Sequence, residues 1–232
     1  DARATFSIYP ANRVAADTVA VTDANGNVTH SFEHLRQQSD KVTGKPNLSL
    51  ADFISTSKDN TDYLGGFTVS IFGAEELANE YKAKGDDYSA ILVQSLADRF
   101  AEAFAEHLHE RIRKEFWGYK ADETLGNEEL IKEKYVGIRP APGYPACPEH
   151  SEKAVLFDWL GSEAKIGTKL TEHFAMMPPS SVSGFYYSHP ESEYFNVGKI
   201  SQDQLEDYAK RKGWSLDVAK RWLAPNLDDS IV

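Results

Sequence analysis

Hydrophobic and polar positions along the chain follow two periods, one typical of strands and one typical of helices. Apolar and polar residues alternate in residues 66–72, 182–187 and 194–200, which predicts half-buried strands. Residues 188–192 between the last two are polar and contain a proline, which predicts a turn and therefore a hairpin.

A longer segment, residues 88–117, contains neither Gly nor Pro and has an apolar side chain at every fourth position. This spacing predicts one long helix that ends at Gly118. At about 1.5 Å per residue the helix is about 45 Å long, long enough to cross the domain and form the backbone of a single core. The apolar stripe consists of Leu92, Leu96, Phe100, Phe104, Leu108, Ile112 and Phe116.

Capping residues predict four shorter helices. They begin after Asn127, Pro148, Ser201 and Ser215 and end near residues 135, 160, 212 and 224. Ser201 and Gln204 match the capping-box pattern. Because strands and helices do not alternate regularly, the predicted fold class is α+β, a single domain with an antiparallel or mixed twisted sheet, surrounding helices and the long helix over about residues 88–117.

Composition narrows the possible partners. The 232 residues are 41% hydrophobic and carry a net charge of −11, which disfavours nucleic acid and anionic membranes. No apolar run reaches the roughly 18–20 residues of a membrane helix. A single cysteine, Cys147, suits a reducing compartment, so we expect a cytoplasmic protein.

The most unusual segment is residues 139–148, which hold four of the ten prolines. We predict a stiff, extended strip of bare carbonyl oxygens with Arg139 at its head. Arg139 suits a carboxylate, backbone carbonyls suit an exocyclic amine, and tyrosine rings suit a base or a cation. Such a set is compatible with a zwitterionic, cationic nucleoside such as S-adenosylmethionine.

Other candidate sites have ordinary structural interpretations. His30, Glu33 and His34 match the H-x-x-E-H pattern of one zinc-peptidase class, and exposed polar residues are the alternative. Cys147 has no neighbouring base in the sequence and is interpreted as a structural thiol. Glu102 and Glu133 are either ligand-binding carboxylates or solvated surface groups.

Several segments together resemble one known family. The run GIRPAPGYPACPEH at residues 137–150, with residues 181–190 and 207–213, closely resembles the C-terminal activation domain of cobalamin-dependent methionine synthase. Residues 6–14, 34–38 and 96–114 are also similar to that family. The resemblance therefore covers essentially the whole chain, residues 1–232.

The resemblance implies a function for the whole domain. It would bind S-adenosylmethionine and support the reductive remethylation of cob(II)alamin to methylcobalamin, which reactivates methionine synthase. The expected partners are the cobalamin-binding domain of the same polypeptide and a flavodoxin or flavoprotein reductase. Zinc would belong only to the parent's homocysteine domain, so no metal site is expected here. The alternative is a docking module for the reductase and the cobalamin domain that does not bind the donor.

The family motif also implies site residues. Arg139 would pair with the carboxylate of S-adenosylmethionine, while the backbone of Ala141 and Gly143, with Tyr144, would hold its adenosyl part. The remaining expected binding residues are Tyr194, Phe195, Glu102 and Glu133. Displacement at a sulfonium methyl needs no protein acid or base, so no catalytic residue is expected.

The start of the chain departs from the family pattern. The family's domain begins further upstream, with a Trp-Thr-Pro-Phe-Phe-like motif and a preceding Asp that contacts the donor's amino group. The chain begins at Asp1 without an initiating Met, so we expect a piece of a longer polypeptide that lacks this N-terminal segment.

Overall fold

The computed structural model describes residues 1–42, 44–56, 61–229 and 231. Five strands form one sheet in the order β3-β2-β1-β4-β7, in which β1–β2 and β2–β3 pair antiparallel, and β5 and β6 form a small antiparallel pair. The α+β class is confirmed. The strands are β1 (Ala2–Ala15), β2 (Thr18–Thr22), β3 (Val28–Glu33), β4 (Asp62–Ile71), β5 (Lys169–Leu170), β6 (Met176–Met177) and β7 (Ser181–Tyr186).

Seven α-helices accompany the sheet within the described ranges. The three helices α1, α2 and α3 precede residues 139–148 in sequence, and α4 to α7 follow them. Their bounds are α1 (Ala74–Ala83), α2 (Asp87–Arg111), α3 (Asn127–Ile131), α4 (Glu152–Leu160), α5 (Ser162–Ile166), α6 (Gln202–Lys212) and α7 (Leu216–Leu223).

The chain divides into two compact units. The first unit comprises Asp1–Ser7, Gly66–Tyr135 and Leu156–Gly184. The second unit comprises Ile8–Gly65, Val136–Val155 and Phe185–Val232.

The predicted long helix is present in the first unit. Helix α2 begins after Asp86, whose side chain accepts a hydrogen bond from Ser89 N at 3.0 Å, and it continues as a π-helical turn over Ile112–Phe116. Gly118 follows with φ of 75°, a left-handed conformation that suits the end of a helix. The predicted extent, residues 88–117, is therefore confirmed.

The predicted apolar stripe of this helix does not form its buried face. Leu92, Leu96 and Phe100 are 46%, 48% and 63% exposed, whereas four alanines of the helix are buried. The helix advances about 100° per residue, so a strict spacing of four drifts by about 40° at each step. The stripe therefore winds round the helix, and only Leu108 and Ile112 reach the buried side. The buried small residues are Ala90, Ala97, Ala101 and Ala105.

Strand β4 packs against the helical segment 156–166 in the first unit. A Cβ added at Gly66 would lie 2.4 Å from a ring carbon of Trp159, so the glycine is required by close approach. Two residues further along, Thr68 Oγ1 lies 3.0 Å from Ser162 Oγ. These contacts place polar and glycine positions of β4 on one face and fix the helices over it.

The second unit has its own apolar cluster, which α6 and α7 cover. Ser215 caps α7 by accepting a hydrogen bond from Val218 N at 3.4 Å, as predicted. The cluster supports the chain that follows β7, from residue 195 onward. Its buried members are Leu35, Val197, Ile200, Leu205, Tyr208, Ala209, Ala219, Leu223 and Leu227.

Three local predictions are wrong. Residues 194–199 are irregular and form no hairpin with β7, because Val197 N donates instead to Pro145 O at 2.9 Å. Ser201 makes no side-chain cap, since the Gln204 side chain bonds the backbone of Arg36. Helix α3 ends early, at Ile131.

No helix among the described residues is long and apolar enough to cross a bilayer.

A buried ion pair in the first unit provides a stability test. Arg113 and Glu123 form a two-point pair with both distances 2.7 Å and side chains that are 0% and 5% exposed. Replacing Glu123 by Ala leaves a buried guanidinium without its carboxylate, so we expect a loss of about 3–5 kcal/mol in the free energy of unfolding, measured in urea.

The matched control is Glu115→Gln in the same region. Glu115 pairs with Arg111 on the surface, with side chains 55% and 42% exposed, so its removal should leave the unfolding midpoint unchanged. Equal losses in both variants would contradict the assignment.

Candidate functional site

The proline-rich segment begins as an addition to the end of β7. Ile138 and Tyr187 exchange two backbone hydrogen bonds of 3.0 Å, and Phe185 N donates to Pro140 O at 2.9 Å. Arg139 lies between these pairs, so its own N–H points to the opposite side, where it donates to the Tyr194 hydroxyl oxygen at 3.0 Å. Two predicted site residues are thereby in direct contact.

The strip is folded into two consecutive turns, which corrects the prediction of an extended segment. Tyr144 N donates to Ala141 O at 3.1 Å, and Cys147 N donates to Tyr144 O at 2.9 Å. Each turn has proline at its second position, and Gly143, third in the first turn, has φ of 97°. Pro at the second position and a positive φ at the third are typical of a type II turn.

The bare carbonyls of the strip are fewer than predicted. The carbonyls of Pro140, Ala141 and Tyr144 accept the backbone hydrogen bonds described above. Within the described part of the chain, no group donates to the carbonyls of Pro142 or Gly143. Because Gly143 N donates to Cys147 O at 2.7 Å, the trans peptide directs the Pro142 carbonyl away from Cys147.

One side of the first turn is open to solvent. Gly143 and Pro145 are exposed, and Tyr144 between them is 57% exposed, whereas Pro142 is buried. The exposed tyrosine ring can stack on a base, and the unused carbonyl of Gly143 beside it can accept a hydrogen bond from an amine.

A buried polar cluster supports the turns from the other side. The Glu149 carboxylate accepts hydrogen bonds from Ser151 N at 2.6 Å, from Ser151 Oγ at 2.5 Å and from the Tyr208 hydroxyl at 3.1 Å. Burial raises the pKa of the nearby Cys147 thiol well above its ordinary value, and Glu152 and Glu149 raise it further. Cys147 is therefore a protonated structural thiol rather than a nucleophile, as predicted.

The predicted binding residues fall into two groups. Arg139, Ala141, Gly143, Tyr144 and Tyr194 lie on or beside the turns in the second unit. Phe195 is in the same unit, half-buried, with its ring centroid 6.4 Å from that of Phe53.

Glu102 and Glu133 belong to the first unit and are exposed. Glu133 has φ of 53°, an uncommon conformation for a residue other than glycine. The roles of both carboxylates in ligand binding stay predictions.

The zinc-peptidase pattern is not a metal site. His30 and Glu33 lie in strand β3 rather than in a helix, and His34 follows directly. Four residues of strand span about 13 Å, too far for two histidines to share one ion. Within the described residues, no group of three or more metal-binding side chains occurs.

Two side chains of the basic run at residues 210–212 are engaged in ion pairs. Arg211 pairs with Glu33 at 2.7 Å and with Asp207 at 2.7 Å, and Lys212 pairs with the buried Glu152 at 2.5 Å. These ion pairs are internal to the second unit, so a reductase would not find three free cations there.

Sequence reasoning missed the support that His150 gives to the first turn. A Cβ at Gly143 would lie 2.4 Å from His150 Cε1, so ring and glycine are in direct contact. The Pro-Gly pair at residues 142–143 is the sequence signal for that turn, whereas nothing in the sequence indicates the contact with the ring.

Comparison with known proteins decides the family. Residues 1–213 match the model of the vitamin B12 dependent methionine synthase activation domain. The chain belongs to this family. A solved relative, the crystal structure of the MetH reactivation domain bound to AdoHcy, is similar at 52% sequence identity with a TM-score of 0.94. The match covers 97% of this chain and 70% of that chain.

The activation domain has a buried histidine whose titration can be tested. His34 lies 2.9 Å from the Tyr187 hydroxyl through Nε2, and burial lowers its pKa to about 3, with Arg211 and Lys212 contributing. The unfolded chain binds a proton at His34 below about pH 6.5, whereas the folded chain does not. The stability that the neutral, buried His34 contributes is therefore fully present above this pH and is lost as the pH falls toward about 3.

We expect His34→Gln to flatten that dependence. The wild type should lose up to about 1.4 kcal/mol per pH unit from this group, and the variant should lose less over the same interval. Urea unfolding at a series of pH values measures both slopes. Parallel curves for the two proteins would show that His34 does not carry the effect.

Proposed function

We propose that the chain binds S-adenosylmethionine on the two turns of residues 141–147 and presents its methyl group for the reductive remethylation of cob(II)alamin to methylcobalamin. The observation that carries this proposal is the arrangement of Arg139, whose backbone is held by Tyr194, next to the exposed turn with the open Gly143 carbonyl. The solved relative is bound to AdoHcy, the demethylated form of the same donor.

The groups of the turn match the groups of the donor. A guanidinium can bind the carboxylate through two parallel hydrogen bonds. The Gly143 carbonyl can accept a hydrogen bond from the adenine amine, and Tyr144 can stack on the base or face the sulfonium. Tyr194 and Phe195 follow each other in sequence beside Arg139 and would line the same side.

Methyl transfer from a sulfonium requires the protein to position the donor, and it requires no acid–base catalysis. The methyl group leaves a sulfonium, which departs as a neutral thioether, so no proton is transferred. The cobalamin, carried by another domain of the same polypeptide, would supply the nucleophile after a flavodoxin or flavoprotein reductase has given cob(II)alamin one electron. Exposed Gly143, Tyr144 and Pro145 form the face that a large flat group can approach. The chain is thus part of a methyltransferase and contributes no catalytic side chain of its own.

A second candidate function is a docking module for a flavodoxin or flavoprotein reductase and the cobalamin domain. The observation that favours it is the apolar side of α2, where Leu92, Leu96 and Phe100 are exposed. In calorimetry, this function predicts association with a flavodoxin and no heat with the donor. Detectable donor binding would rule out a chain that binds only protein partners.

Replacing Arg139 tests the proposed function. Loss of a charge-assisted pair with the carboxylate should weaken S-adenosylmethionine binding by about 1.5–3 kcal/mol, measured by calorimetry on Arg139→Ala against the wild type. Arg99→Ala, an exposed arginine of α2, is the matched control and should bind as the wild type does. Unchanged affinity in the Arg139 variant would remove the carboxylate assignment.

A further inference from the structure

His150 lies directly against the first turn of the strip. The position of a Cβ on Gly143 would be 2.4 Å from Cε1, 2.8 Å from Nδ1 and 3.1 Å from Nε2 of the imidazole. The edge of the ring therefore touches the Gly143 Cα, at the residue whose carbonyl is open to a ligand. Any movement of the ring toward or away from the turn changes what holds Gly143 in place.

Lys153 determines which form of the imidazole fits there. Its Nζ lies 3.0 Å from His150 Nδ1, and Lys153 is itself only 8% exposed. An ammonium group has donors and no acceptor, so Nδ1 must be the acceptor and the neutral ring carries its proton on Nε2. If the ring were protonated, the Nδ1–H and the Lys153 ammonium would be two donors facing each other at this distance.

The charges around His150 favour the neutral ring. Burial lowers the pKa of His150, the Lys153 ammonium lowers it further, and Glu149 opposes them. The Glu149 carboxylate is engaged by Ser151 and Tyr208, so it is not positioned as a partner of the imidazole.

We propose that His150 is a positioning residue of the donor site, whose neutral ring, held by Lys153, keeps the Gly143 turn in the conformation that binds the adenosyl group. This inference rests on the proposed function of the turn and adds a residue that acts through Gly143 rather than by touching the donor. Protonation of His150 breaks the contact with Lys153 and displaces the ring. Donor affinity then falls as the pH drops through the pKa of His150.

Calorimetry with S-adenosylhomocysteine between about pH 5 and about pH 8 tests the inference. His150→Ala removes the ring and should weaken binding about tenfold at every pH. His150→Phe keeps a flat ring against Gly143 but can neither titrate nor accept from Lys153, so it should bind more tightly than His150→Ala and lose the decline at low pH.

Lys153→Met provides a readout that a purely structural role would not move. Without Lys153 the neutral ring loses the donor that holds it, so affinity at about pH 8 should fall. A protonated ring then has no contact with Lys153 to break, so the decline in affinity at low pH should flatten. His173→Ala, an exposed histidine of the first unit, is the control and should match the wild type throughout.

The outcomes separate this inference from the proposed function. If the wild type binds the ligand and the His150 variants show the same affinity and pH profile, His150 has no positioning role and the donor site stands. If the wild type binds no ligand, the proposed function fails for this chain. NMR then tests the His150–Gly143 contact without a ligand. The Gly143 amide shift should change as His150 titrates in the wild type, and it should not change over the same pH range in His150→Phe. A Gly143 amide shift that does not follow the titration of His150 would overturn the positioning role of His150.

Discussion

The candidate site depends on one backbone constraint, the left-handed conformation of Gly143 in contact with the His150 ring. Its φ of 97° is a conformation that favours glycine. A Cβ at this position would lie only 2.4 Å from the imidazole, so a larger residue does not fit. Pro142 before it fixes the other half of the turn. Because Gly143 N also donates to Cys147 O at 2.7 Å, the first turn cannot open without disturbing the second.

Buried polar groups make this turn rigid before any ligand arrives. Glu149 is held by Ser151 and Tyr208, and Lys212 is held by Glu152. A preformed binding turn loses little conformational entropy on binding, so the contact energy of a small ligand goes into affinity. In an acidic chain of net charge −11, internal pairing also uses cations that would otherwise be available at the surface.

The sequence predicted the fold class and suggested candidate site residues, but it did not predict how those residues are arranged. Spacing and caps located α2, β4 and β7, since local signals determine them. The predicted burial of α2 was wrong because a spacing of four does not follow one face of a helix, and alanines such as Ala101 pack there instead. The motif led to Arg139 and Gly143. The Arg139–Tyr194 contact and the Gly143–His150 contact join residues that no local sequence pattern connects.

The most direct measurement is a crystal structure of the chain with S-adenosylhomocysteine. We expect the ligand on residues 141–147, with its carboxylate at the Arg139 guanidinium and its adenine amine within hydrogen-bond distance of the Gly143 carbonyl. A ligand bound elsewhere, with this carbonyl still open and Tyr144 uncovered, would contradict the assignment of the turn as the donor site.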